Sequence, residues 1–507
     1  MFARLLETTH GRETRLAVAN ESRAVDYATL TREAWAVQHL LSGERPAVCM
    51  VMLPGGPEHT AAAFGTFAAG GILVPVPDKC TGHEAGALLE LLEPDLVLVH
   101  STTAQAAALA ALRRPTTIVA LTNAEAGPGG GHRRILWQDL LANPRAFDPV
   151  VAPARVLPAP TRMVQFTSGS TGRPKGILLS NANLLANLDQ NREHLRRVAD
   201  ENVFCPVPQF HAMGGAVVFE HLLHGSGVVL SNRFVPGDDV ARMQEHACVA
   251  VLASPNWFKL MLRLGALSRA HLPRLRSFTL GTAAIDTQLV RDLRTAFPAA
   301  TIHLRYGLSE SVGAMTRLDL GPGEVLDDPG MVGPLVPGTI LRPGLPAPGH
   351  GDPGEIAVRS PANAIGQLVA RDRCEPLTDD SGFLPTGDLG HVDAHGRIHL
   401  RGRITTFLKS GGHRVNPFEI EGVLREVPGV QEAVVVGVDD PVLGQRIVAC
   451  VEPQPGHAAP GTEALQQACQ ERLSPHKIPH RFVVLPSLPR THAGKPDRRQ
   501  VLAQLSR

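Results

Sequence analysis

The chain has 507 residues, 43% hydrophobic and 19% charged, enough for one large and one small domain or about three average ones, and too apolar for a disordered protein. Lys plus Arg (49) nearly balances Asp plus Glu (48), so no nucleic-acid or anionic-membrane surface is expected and any phosphate site must be local. The seven scattered cysteines lack CxxC or zinc spacing, the opening segment lacks an apolar core of signal-peptide length, and no long apolar run occurs, so the expectation is a soluble cytoplasmic protein without disulfide framework, structural metal or transmembrane segment.

In chain order, Ala47–Leu53 reads as a strand, Glu58–Ala69 as a helix and Ile72–Val76 as a second strand. A helix at Ala85–Leu92, a strand at Leu96–His100, a helix near Thr103–Leu112 and a strand at Thr117–Leu121 continue the alternation. This rhythm predicts parallel sheet covered by helices. It returns at Val228–Leu230, Cys248–Leu252, Ser277–Leu280 and Thr301–Leu304. From about Leu318 to Asp388, prolines, glycines and short runs predict a β-rich region with tight turns. After Arg401-Gly402-Arg403 comes a compact α+β unit: helix Pro417–Glu426, strands Ala433–Val438 and Arg446–Glu452, helix Thr462–Leu473 and strand Phe482–Leu485. The fold class expected is therefore α/β, with parallel and mixed sheets, a β-rich subdomain and a small C-terminal α+β domain. The boundary is placed between residues 1–402 and 403–507.

Phe166–Gly176, reading FTSGSTGRPKG, packs three glycines, four hydroxyls, an Arg and a Lys behind an apolar Met163-Val164. Converging N–H groups, hydroxyls and a lysine suit a polyphosphate. Pro174 before Lys175, and Gly176 after it, break the Walker A spelling, which argues against a P-loop ATPase or kinase. Taken alone, the run also fits a solvated Gly/Ser linker. Four more segments put polar or glycine residues where a strand should end: Tyr306-Gly307-Leu308-Ser309-Glu310, Thr386-Gly387-Asp388, Gly402-Arg403 and Gly494-Lys495. In isolation each has a plainer reading: a core tyrosine, a solvated glutamate, a turn aspartate, a surface ion pair, a tail lysine.

Together, in this order and over more than 300 residues, the five segments resemble the signature set of the adenylate-forming ANL superfamily, and the match runs from about Tyr27 to Arg499. The resemblance implies attack of a carboxylate on the ATP α-phosphate, giving acyl-AMP and pyrophosphate, then displacement of AMP by a thiol. It implies that Thr167, Ser168, Gly169, Ser170, Thr171, Gly172 and Lys175 form the loop over the β- and γ-phosphates, that Ser309 contacts phosphate, and that Glu310 holds Mg²⁺. Tyr306 beside Gly307 would stack on adenine, with Gly281, Thr282, Ala283 and Ala284 on its other side. Asp388 would accept from both ribose hydroxyls, and Arg403 would be a second ribose contact. Lys495 matches the lysine that bridges carboxylate and α-phosphate. Gly411 and Gly412 match the loop lining the thiol channel once the small domain has rotated.

Some positions depart from the pattern. Thr405 stands at the hinge where Asp or Lys is usual, Ala493 replaces Asn, and Ser309 replaces the more frequent Thr. Amino-acid-activating relatives have an Asp at about the place of His211, which pairs with the substrate ammonium. An imidazole cannot make that pair, so His211 resembles the aromatic gate of acyl- and aryl-CoA synthetases. Gly214-Gly215 would leave room for a bulky acyl group, with Trp257 and Phe258 as an apolar wall. The expected substrate is a small-molecule fatty or aromatic acid, and the expected thiol is CoA. The alternative is a free-standing acyl-AMP ligase that loads the phosphopantetheine arm of an acyl carrier protein. The family's frequent dimers leave a homodimer open, and a non-catalytic nucleotide-binding relative is a further reading.

Overall fold

The computed structural model describes residues 1–507 except 79–81, 102–104, 123–130, 153–156, 159, 169–173, 284, 349, 351, 371–372, 405–407, 411–412, 441–442, 457–459, 474–476, 492–495 and 506–507. The chain divides into two compact units, one of Met1–Ile340 with Arg359–Leu384, the other of Leu341–Val358 with Pro385–Arg507.

Two large sheets build the first unit. In the nine-stranded one, the strands at Thr161–Ser168, Ile72–Pro75, Val48–Met52, Leu96–Ser101, Thr117–Thr122 and Arg133–Leu136 lie side by side in parallel. The near-continuous Val, Ile, Leu and Met content of Ile72–Pro75, Val48–Met52 and the start of Leu96–Ser101 is what a parallel strand buried on both faces requires. The alternation of strands and helices read from residues 47–121 is present, although the helix near 103–112 is short, at Ala106–Leu109. The eight-stranded sheet runs, in parallel, through Thr301–Gly307, Ser277–Leu280, Ala250–Ala253, Asn202–Cys205, Gly227–Leu230 and Leu16–Ala19. Antiparallel strands close both of its edges, at Ala314–Leu320 and Ala24–Asp26.

One core joins the sheets through helices Tyr27–Leu41, Pro57–Ala68 and Ala212–Leu222, whose buried faces include Tyr27, Phe64 and Phe219. A second core covers the outer face of the eight-stranded sheet with helices Pro255–Arg263 and Thr287–Ala296. A third covers the other sheet with Gly82–Leu92. The layers thus alternate helix, sheet, helix, sheet, helix, each apolar face buried against the next.

In the second unit, Leu384–Val392 pairs antiparallel with Arg397–Arg403 and neighbours Gly354–Arg359. Another sheet is built on the long hairpin Val430–Asp440/Gly444–Pro453, with Arg481–Val484 parallel to its second strand. Helices Pro417–Arg425 and Thr462–Arg472 cover one face and Arg498–Leu505 the other. Among the described residues, no helix is long and apolar enough to cross a membrane, and six cysteines are free.

Candidate active site

The Phe166–Gly176 segment runs between two paired strands. Strand Thr161–Ser168 pairs antiparallel with Pro174–Ser180, setting Thr167 opposite Lys175 and Ser168 opposite Pro174. A Walker A loop leads from strand into helix, whereas here it leads from strand into strand, with the half-buried Lys175 on the return strand. Gly169, Ser170, Thr171 and Gly172 lie outside the described residues. Gly176 is needed where it stands, because a Cβ would lie 2.8 Å from a Val164 methyl. Ser180 caps the next helix, Asn181–Gln190, in a reciprocal box with Asn183.

Gln165, on the same hairpin, was not singled out from sequence. It is buried, and its Nε2 donates to the Phe210 carbonyl at 2.8 Å, tying the hairpin to the turn that carries His211. The buried Gln209 fixes that turn from the other side, accepting from Gly56 N at 3.1 Å and donating to Thr60 Oγ1 at 3.0 Å. His211 is the N-cap of helix Ala212–Leu222, half-buried, with its ring 4.3 Å from that of Phe210.

Gly214 serves close packing rather than an acyl cavity. A Cβ there would lie 2.2 Å from the Pro208 carbonyl oxygen, and one on Gly215 would lie 3.1 Å from that of Gln209, so the backbones meet where open space was expected. Trp257 and Phe258 likewise belong to the second core. Phe258 is fully buried, and Trp257 Nε1 donates to Asp239 Oδ2 at 3.4 Å.

The end of strand Thr301–Gly307 gathers the next group. Gly281 backs onto it: a Cβ there would lie 3.3 Å from the Arg305 carbonyl and 3.4 Å from Met213 Sδ, so the 281 turn, the strand end and the helix after His211 converge. Thr282 is exposed at φ +71°, and Ala283 is half-buried. Ala284 lies outside the described residues. Tyr306 is half-buried opposite Thr316. Gly307 can be nothing else without rearrangement, because a Cβ would fall 1.7 Å from the Gly313 carbonyl oxygen. Ser309 and Glu310 then form a single 3₁₀ turn with Ser311. Ser311, also missed from sequence, accepts from Leu308 N at 3.2 Å and donates to the Leu308 and Gly313 carbonyls, while the Glu310 carbonyl accepts from Ala364 N at 2.8 Å. The Glu310 carboxylate makes no hydrogen bond or ion pair among the described residues. An oxygen donor so placed suits a hard cation.

The second unit holds Asp388 and Arg403 directly opposite each other on neighbouring strands. Arg403 Nε donates to Asp388 Oδ1 at 2.5 Å; the carboxylate is buried and the guanidinium half exposed. Thr386 Oγ1 holds the Asp388 backbone, accepting from Asp388 N at 3.0 Å while donating to the Ile356 carbonyl at 2.7 Å. Gly387 takes φ +70°, and its N–H donates to Glu355 Oε1 at 3.1 Å. Gly402 abuts Asn416, which caps helix Pro417–Arg425 and donates to the Arg401 carbonyl.

Lys495, Thr405, Gly411 and Gly412 lie outside the described residues. The residues flanking 492–495 are firmly tied: Arg490 bridges Pro496 and pairs with Glu452 at 3.0 Å, Asp497 N donates to the Pro489 carbonyl, and Arg498 binds Glu421 and covers the Phe418 ring at 4.6 Å.

One group of described side chains has metal-ligand atoms within 4.8 Å of one another: His194, His303 and Asp319. Asp319 already receives His303 Nδ1 at 2.8 Å, Arg317 at 3.2 Å and Arg197 at 3.4 Å, and burial together with neighbouring His303 and Arg305 holds the His194 imidazole neutral. Two guanidiniums and an imidazole around one carboxylate mark a hydrogen-bonded structural group.

The AMP-binding enzyme profile matches residues 6–367, and the AMP-binding enzyme C-terminal domain profile matches residues 419–495. The chain belongs to the AMP-binding enzyme family. It is an adenylate-forming, AMP-forming acid–thiol ligase of the ANL superfamily. Among its relatives, a sulfoacetate–CoA ligase of Cupriavidus necator is 30% identical over 94% of this chain and 91% of its own. An indoleacetate–CoA ligase of Aromatoleum aromaticum is 29% identical over 96% and 95%. The fatty acid–[acyl-carrier-protein] ligase ScoC of Streptomyces coeruleorubidus is 27% identical over 96% and 92%. ATP-bound MatB from Rhodopseudomonas palustris shares the fold with a TM-score of 0.82, at 25% identity over 99% of this chain and 98% of its own.

Proposed function

We propose that this ligase activates a fatty or aromatic carboxylic acid and passes the acyl group to CoA. A carboxylate oxygen attacks the α-phosphorus of ATP, and the bond to pyrophosphate breaks. The thiol sulfur then attacks the acyl carbonyl, loses its proton and expels AMP. The first step drives an anion toward a polyanion, so donors and cations must be waiting where charge builds up. Thr167 and Lys175, with the loop between them, would hold the β- and γ-phosphates. Tyr306 would stack on adenine against the Gly281 turn. Asp388, its backbone held by Thr386, would accept from the ribose hydroxyls beside Arg403. Glu310 would hold Mg²⁺, which when bound offsets phosphate charge. Lys495 would bring positive charge to the carboxylate and the α-phosphate, and Gly411 and Gly412 would line the path of the thiol.

The observation that carries this reading is the turn at 306–310. Gly307 lets the strand end pass against Gly313, and the Glu310 carboxylate is left without a protein partner among the described residues. The acid class is supported by the imidazole at His211, which cannot pair with an α-ammonium, and by the indoleacetate-activating relative. The carrier-protein ligase among the relatives favours a second reading, in which an acyl carrier protein accepts the acyl group. The test supplies ATP, Mg²⁺ and an acid panel with either CoA or a holo-carrier protein and weighs the products. Acyl-CoA with fatty or aryl acids is expected. Acylated carrier protein without acyl-CoA establishes the second reading.

A further inference from the structure

We propose that Glu220 is a positioning residue for adenylation, acting through the buried Arg305, an inference that rests on the functional reading above. Helix Ala212–Leu222 starts at His211 and ends at the eight-stranded sheet's inner face, with Glu220 on its last turns. There the Glu220 carboxylate takes both terminal nitrogens of Arg305, at 2.8 and 3.0 Å, with the two side chains only 3% and 7% exposed. Asn191, which follows helix Asn181–Gln190, donates to the same carboxylate at 3.4 Å.

Arg305 immediately precedes Tyr306 on one strand, so their side chains leave opposite faces of the sheet. The face carrying Arg305 is held to the helix that begins with His211 and Met213. Its own carbonyl lies against the Gly281 turn, and so does Met213. One ion pair thus spans the helix that would border the acid and the strand whose end would hold the nucleotide.

A buried pair of this kind is a poor choice if stability alone is at stake, because apolar side chains of similar size usually pack as well or better. What an arginine fork adds is direction: two parallel charge-assisted bonds fix distance and angle where an apolar contact can slide. In-line attack on phosphorus is sensitive to errors of about 1 Å. The strut therefore sets the spacing between acid and α-phosphate.

The experiment compares the parent with Glu220→Gln and with the double variant Glu220→Leu/Arg305→Met, in acid-dependent ATP–pyrophosphate exchange alongside thermal melts. The double variant removes both charges and keeps the site foldable should the single one unfold. The expected result is a kcat lowered at least tenfold in each folded variant, with KM for ATP within threefold of the parent. The double variant should melt at or above the parent's temperature, a split between stability and rate that a merely structural pair would not give. A folded double variant with kcat within twofold of the parent overturns the inference. Failure of the parent itself to exchange with any acid overturns the functional reading and takes this inference with it.

Discussion

Replacing Gly307 with alanine tests the turn that presents Tyr306 and Glu310. The added Cβ would sit 1.7 Å from the Gly313 carbonyl oxygen and 2.9 Å from Ala314 Cα. Strand end and return strand would have to part by about 1.3 Å to reach even the tightest ordinary contact, an overpacking that costs about 1–3 kcal/mol. That separation falls where Tyr306 and Glu310 are delivered, and a 1 Å misplacement of reacting groups lowers rate about 100-fold. Acid-dependent ATP–pyrophosphate exchange in Gly307→Ala should therefore lose about two orders of magnitude in kcat/KM, with a lower melting temperature. Gly422→Ala is the control: beyond its chain neighbours and its own helix backbone, no described atom lies within 4 Å of its added Cβ, in the interior of helix Pro417–Arg425. It should keep full activity and gain up to about 1 kcal/mol from helix propensity. Gly307→Ala with kcat/KM within threefold of the parent would refute the reasoning about this turn.

Asp388→Asn removes a charge-assisted acceptor and half of the Arg403 pair. It should lower kcat/KM for ATP roughly 10- to 100-fold and leave KM for the acid nearly unchanged, as read by steady-state kinetics in each substrate. Burial depresses the His59 imidazole from 6.5 to about 4. The unfolded chain therefore takes up its proton first, and the stability this histidine contributes is complete above pH 6.5 and lost as pH falls toward 4. Between pH 8 and pH 5 it should cost about 2 kcal/mol; urea midpoints across that range should show the loss, and His59→Gln should reduce it by about that amount, the rest coming from other buried histidines such as His194 and His221. Burial pushes the Cys49, Cys205 and Cys248 thiols up to about 12, leaving about one thiolate in ten thousand at pH 8. Iodoacetamide should spare these three in native protein and modify them in urea, by mass spectrometry of the peptides.

The parallel strands of the first unit were legible because strands buried on both faces read as unbroken apolar runs, as Val48–Met52 and Leu96–Val99 do. The place of the 166–176 segment between two paired strands was not legible, since Pro174 gives no sign of opening a strand. Gly214-Gly215 misled for a physical reason: a missing side chain means either open space or close backbone approach, and only coordinates tell these apart. Trp257, Phe258 and Met261 share one face of a short amphipathic helix, a core signature that outranks a pocket wall. Gln165, Gln209 and Ser311 escaped notice because each works through local hydrogen bonds, mostly to backbone groups, that carry no sequence pattern.

The most direct test of adenylation is ATP–pyrophosphate exchange across a panel of fatty, aryl, hydroxy and amino acids, with Lys495→Ala alongside. Exchange driven by a fatty or aromatic acid, absent without acid and lost in Lys495→Ala, is the expected result. Release of orthophosphate in place of pyrophosphate, or exchange that needs no acid, would contradict it.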